Sequence, residues 1–166
     1  MCLCDRKEVN IKKKKAWKIF AFNTTFNTLE SAFNSARKHF KPLSYSLNSK
    51  IEAKPFDSSF FSFEKFEDAV CIIDHREEWN IVQCPLIVLP VMLYNVTHIG
   101  KLPNSHFLSS HFLAFESKEI IILSGEESRC KTYHDFSNDQ MKLFSYVFNV
   151  NLNRNNVFPR IMENLV

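Results

Sequence analysis

The stretch Phe56-Asp57-Ser58-Ser59-Phe60-Phe61-Ser62-Phe63-Glu64-Lys65-Phe66-Glu67-Asp68-Ala69 decides how this chain is read. Phe occupies 17 of the 166 positions against 2 for Gly, and this is its densest cluster. Such a balance predicts a Phe-rich core with few sharp backbone turns. The first part of the stretch reads as extended and the second as helical. Ser62 is placed to cap, and Glu64, Glu67 and Asp68 bring negative charge to the first turns, where it complements the helix dipole. Phe66, Ala69, Val70 and Ile73 form an apolar stripe, so a helix is expected over 63–74. In the extended part the adjacent Phe60 and Phe61 must point to opposite sides, so part of the cluster is expected on the surface.

Working toward the N-terminus, Ala16-Trp17-Lys18-Ile19-Phe20-Ala21-Phe22 has the alternation and aromatics of a half-buried strand. Residues 1–15 read as a polar, Lys-rich arm ahead of it. Between Asn23 and Phe40 two readings compete. Phe26, Leu29, Phe33, Ala36 and Phe40 share one helical face, with Asn27 and Glu30 spaced as a capping box; the rival is a pair of strands, through Leu29 to Phe33 and Phe40 to Leu47. Tyr45 to Lys54 alternates weakly and stops at Pro55, as an edge strand does.

Toward the C-terminus, Trp79 to Cys84 and Leu86 to Val96 are β-branched and apolar and supply the central sheet, with Pro85 and Pro90 marking an edge, a bulge or a break. Ile99 to Ser110 reads as a loop because Gly100, Pro103 and Asn104 are turn residues. Phe112 to Phe115 and Glu119 to Leu123 read as two strands joined by the polar link Glu116-Ser117-Lys118. Ser137 and Gln140 form a capping box, with Phe136 and Met141 as its hydrophobic staple, for a helix over 138–149. An Asn-rich tail fills 151–166. The sum is an α+β fold: one compact domain over 16–150, with a mostly antiparallel sheet of about five to six strands and two or three helices.

The length suits one such domain, because a chain of this size buries about two-thirds of its unfolded surface. An apolar fraction of 45% and a charged fraction of 23% are ordinary globular values. The net charge of +3 is small and owes much to Lys12-Lys13-Lys14-Lys15. Five cysteines make an odd count, and residues 1–15 lack the apolar core of a signal peptide, so a reducing, cytoplasmic setting is expected. The apolar run Cys84 to Tyr94 is interrupted by two prolines and is far shorter than the roughly 20 residues that cross a membrane.

Gly100 and Gly125 are the two glycines, which disfavours phosphate loops, dinucleotide fingerprints and Ser nucleophile elbows, since each needs Gly for a sharp turn or close approach. No cofactor is expected. Cys71 and His75, Cys84, and Cys2-x-Cys4 do not make the two close ligand pairs of a structural zinc site, so no metal is expected either. Cys130 with His134-Asp135, and Asn104, His106 and His111 around a loop, are the nearest approximations to a hydrolase or transferase cleft.

Several segments together resemble a small domain encoded by bacteriophages and large DNA viruses. They are Trp17-Lys-Ile-Phe, Leu29-Glu-Ser31-Ala, Tyr45-Ser-Leu-Asn-Ser-Lys-Ile-Glu-Ala, Phe60-Phe-Ser-Phe-Glu-Lys-Phe-Glu-Asp-Ala69, Ile81-Val-Gln-Cys-Pro and Glu119-Ile-Ile-Ile-Leu. The resemblance covers about 100 residues in order and implies a compact α+β domain in which the segment with Phe63 and Ala69 is an aromatic strand leading into a helix. It also implies strands over Leu29 to Leu47. It departs at Asn48, where the family pattern has a glycine, and it carries no established activity.

The expectation is therefore a non-enzymatic viral or mobile-element accessory protein in the host cytoplasm. It would bind, and inhibit, a host protein through Phe56, Phe60, Phe61, Glu64, Glu67 and Asp68. Aromatic side chains serve as anchors and acidic ones steer toward a basic surface. A nucleic-acid- or ribosome-associated factor using Lys12, Lys13, Lys14, Lys15, Arg154 and Arg160 as basic arms is the alternative binding mode. An enzyme using His106, His111, Cys130 or His134 is the alternative class.

Overall fold

The computed structural model describes residues 3–23, 28–32, 49–53, 59–74, 86–103, 111–123, 130–132, 138–148 and 157–159. Strands β1 (Cys4–Asn23), β2 (Thr28–Ser31), β3 (Lys50–Glu52), β4 (Phe60–Phe63), β5 (Leu86–Pro103) and β6 (His111–Ile122) form one six-stranded antiparallel sheet. The helices are α1 (Phe66–Asp74) and α2 (Asn138–Phe148), and β7 (Cys130–Thr132) pairs in parallel with β8 (Val157–Pro159). The expected α+β domain with two or three helices is corrected: the fold is mainly β. Its framework is three long strands of 20, 18 and 12 residues, and among the described residues one short helix, the nine-residue α1, packs on the sheet. The reason lies in β5, where Leu86 to Val91 is buried on both faces, so the apolar content goes into long strands, with Ile87, Leu89 and Val91 in the inner core and Leu86 and Val88 on the side that α1 covers in part.

β1 pairs with β5 along one edge, from Cys4↔Lys101 to Ala21↔Leu86. Its other edge carries β2 at Phe20 to Asn23 and β4 at Trp17↔Phe63. β6 carries β5 on one edge, and β4 and β3 on the other. Neighbour by neighbour, β1, β5, β6 and β4 close into a circuit, whose seam among the described residues is the pair Trp17↔Phe63.

A bend shared by the long strands makes that closure feasible. Asn95 has φ 54°, in the left-handed region that Asn tolerates better than most residues, and the β5–β6 register shifts between Val96 and His98. The β1–β5 register shifts between Glu8 and Ile11 at the same level. Such irregularities raise the local twist. Inward positions on β5 accordingly change from Leu89, Val91 and Leu93 to Val96 and Ile99 across Asn95, which keeps one inner core continuous.

That inner core gathers Phe20, Phe22, Leu29, Phe60, Val91, Leu93, Phe115, Ile120 and Ile122. The opposite face, with Ile19, Ala21, Phe63, Val88, Leu102, Phe112 and Ala114, is covered in part by Phe66, Ala69 and Ile72 of α1. Trp17 meets Phe66 edge-on with ring centroids 5.2 Å apart.

Several local expectations change. The Lys-rich segment is the outer half of β1, which begins at Cys4 rather than Ala16. Leu29 lies in β2, so the helical face drawn through it is not formed there; 24–27 and 33–48 lie outside the described residues. α1 starts at Phe66, and Ser62 is a buried strand residue instead of a cap. Glu116-Ser117-Lys118 continues β6 without a break. β5 runs on to Pro103, where a loop was expected, and Gly100 makes no turn. A Cβ at Gly100 would sit 2.5 Å from Leu3 Cβ and 3.1 Å from the Cys4 carbonyl oxygen, so glycine there lets β1 pass close by. No helix among the described residues is long and apolar enough to cross a membrane.

Candidate functional site

The aromatic and acidic residues singled out from the sequence are divided by the fold. Phe56 lies outside the described residues. Phe60 is buried, 5% exposed, in the inner core. Phe61 points to the helix-covered side, half-buried, with its ring edge-on to Phe63 at 5.2 Å. Glu64 is paired with Lys14 at 3.4 Å. Glu67 is exposed and Asp68 half-buried at the start of α1. Burial raises the Asp68 carboxyl above its ordinary pKa; Lys65 pulls it down and Glu67 pushes it further up. Phe61 thus lies on the helix-covered side, Glu67 and Asp68 lie in the first turn of α1, and Phe60 is removed to the inner core.

Among the basic residues, Lys12, Lys13 and Lys15 are exposed on β1 and Lys14 is half-buried. Arg154 and Arg160 lie outside the described residues, as do Cys2, His75, Cys84, Asn104, His106, His134 and Asp135. His111 and Cys130 open β6 and β7, with side chains that are not described. Cys71 is half-buried beside the helix-covered core, and no group of three or more His, Cys, Asp or Glu that could hold a metal occurs among the described residues.

A polar cluster that the sequence reading overlooked lies on the inner face. The pair Trp17↔Phe63 places the next residues, Lys18 and Ser62, opposite one another across the seam, where cross-strand Cβ atoms are about 5 Å apart. Lys18 is 6% exposed. Its Nζ donates to the Phe61 carbonyl oxygen at 2.9 Å and lies 5.8 Å and 5.7 Å from the ring centroids of Phe20 and Phe60, within cation–π range. Desolvation lowers its pKa from 10.5 to about 8. Ser62 and Ser117 are fully buried, and neither hydroxyl has a hydrogen-bond partner. The pairs Phe60↔Ser117 and Ser62↔Phe115 put both on the face that Phe60 and Phe115 share, as diagonal neighbours. The signal was present in the strand pattern, since Lys18 has the same parity as Ala16, Phe20 and Phe22.

A second polar arrangement clasps the bend from the other side. Arg6 Nε and Nη2 donate to Glu116 Oε2 at 3.1 and 2.8 Å, and His98 Nδ1 is 3.3 Å from the same oxygen. The same Nδ1 lies 2.9 Å from Thr97 Oγ1 and 3.3 Å from Arg6 Nη2. A proton relay through histidine uses one partner on each ring nitrogen, whereas every described contact here falls on Nδ1. The geometry is that of a tie between β1, β5 and β6.

No protein-family model, curated protein or solved structure matches this chain.

Proposed function

We propose that this chain is a non-enzymatic accessory protein of a virus or mobile element that binds and inhibits a host protein. The contact surface is narrower than the sequence alone suggested: Phe61, Glu67 and Asp68. The observation that carries this reading is the split of the Phe60-Phe61 pair. Phe60 is held in the inner core, so Phe61 is half-buried on the helix-covered side, and the acidic first turn of α1 begins three residues after the end of β4. A rigid aromatic anchor with adjacent carboxylates suits a partner that offers an apolar pocket rimmed by basic groups. The viral origin rests on the resemblance described above.

Tagged wild type and the Phe61→Ser, Glu67→Lys double variant, expressed in the native host and captured under identical conditions, test the proposal. One stoichiometric host protein retained by wild type and lost by the variant, with thermal unfolding unchanged, is the expected result. Identical captured proteins from both forms would refute it. A nucleic-acid reading has one observation in its favour, the exposed Lys12, Lys13 and Lys15 on β1. It predicts association that weakens steeply with salt and is abolished by changing all three to Ser.

A further inference from the structure

Lys18, Ser62 and Ser117 share one chemical problem. Each is at least nine-tenths buried, two have no hydrogen-bond partner, and the ammonium of the third makes one described hydrogen bond out of the three its protons allow. Buried polar groups left in this condition cost free energy comparable to a lost hydrogen bond each, and a buried charge costs more. The cluster is also rich in donors and poor in counter-charge. Glu64, two residues beyond Ser62, pairs with Lys14; Glu116 is held by Arg6; Glu30 accepts from Asn23. The surrounding inner-face side chains, Phe20, Phe60 and Phe115, are apolar.

We infer that the inner face of the strand circuit binds one small monovalent anion of the halide class, held by Lys18 Nζ and the hydroxyls of Ser62 and Ser117. Such an ion accepts from all three donors and cancels the single positive charge. Water satisfies the hydroxyls but leaves the charge in an apolar enclosure. A phosphate or sulfate brings more negative charge and more acceptor oxygens than three donors and one cation balance. Because anion and ammonium stabilise each other, the site makes the stability of the barrel-like circuit depend on halide through binding to the folded state alone.

The test is thermal unfolding of the full chain at constant pH and ionic strength, with potassium gluconate replaced stepwise by potassium bromide. The wild type is expected to show a saturable rise in Tm. Lys18→Met should abolish the rise, and Ser62→Ala and Ser117→Ala should each weaken the apparent bromide affinity about tenfold, the equivalent of one lost hydrogen bond. A wild-type Tm indifferent to bromide, or a Lys18→Met Tm that keeps the same dependence, would overturn the proposal. Crystals grown in bromide give a second reading if a variant does not fold: an anomalous peak between Lys18 Nζ and the two hydroxyls supports the site, and its absence from the wild type refutes it.

Discussion

The two faces of the strand circuit are built from similar apolar side chains but treat polar groups differently. On the helix-covered face the buried Glu30 accepts a hydrogen bond from Asn23 Nδ2 at 3.1 Å, and Glu116 is held by Arg6 and His98. On the inner face Lys18 has one carbonyl and two aromatic rings, and Ser62 and Ser117 have no partner. Apolar packing does not distinguish the faces; the Lys18, Ser62 and Ser117 cluster does, and it stands apart from the Lys14–Glu64 pair on the same side, whose charges meet at 3.4 Å. This incomplete arrangement lies beside the single Trp17↔Phe63 pair that joins β1 to β4, whereas Phe61 lies on the helix-covered side.

The largest expected effects test whether both faces are equally cores. Phe20→Ala on the inner face and Phe63→Ala on the other should each destabilise the chain by roughly 3–5 kcal/mol in urea unfolding, because both side chains are fully buried. A much smaller loss at one of them would show that its face is poorly packed.

Lys18→Met separates the faces by charge. The folded chain holds the Lys18 proton less tightly than the unfolded chain does, so the unfolded state binds more protons between about pH 8 and pH 10.5, and wild-type stability rises with pH across that window. In halide-free buffer the variant should exceed wild type by roughly 3 kcal/mol below pH 8, with the difference fading above pH 10.5. The measurement is a urea-unfolding series from pH 6 to 11. At Gly100 the comparison is steric. Gly100→Ala should lose about 1–3 kcal/mol through its clash with Leu3 and the Cys4 carbonyl, whereas Leu3→Ala combined with it should recover part of that loss. The smallest effect is expected at the Lys14–Glu64 pair, whose partners are each about one-third exposed. Glu64→Gln should cost under about 1 kcal/mol, and the difference should shrink in high salt.

Much of the sheet was legible in the sequence, and the failures have physical causes. Phe60–Phe63 before a helix, the apolar run from Leu86 and the helix near 138–148 all follow from residue pattern. The extent of β1 was hidden because an outer strand segment facing solvent with Lys12, Lys13 and Lys15 loses the alternation that identifies a strand. The continuation of β5 was hidden because Gly100 reads as a turn residue and here permits close approach of two strands. Fold class was misjudged because β5 is buried on both faces, one turned to the inner core of the strands and the other covered in part by α1, which composition does not reveal. At the candidate site, parity placed Lys18 among Ala16, Phe20 and Phe22, yet a lysine in a strand is ordinarily assigned to solvent. Phe60 was assigned to a surface for the converse reason, since alternation states that Phe60 and Phe61 diverge and not which one faces inward.

The placement of Lys18 on the inner face carries the account, and the most direct test of it is the titration of its side chain by NMR, with ¹³C-labelled lysine, in halide-free buffer. The structure predicts one lysine titrating near pH 8 that disappears in Lys18→Met. A Lys18 resonance titrating near 10.5 with the other lysines would mean a solvated ammonium, and would contradict both the buried cluster and the seam that encloses it.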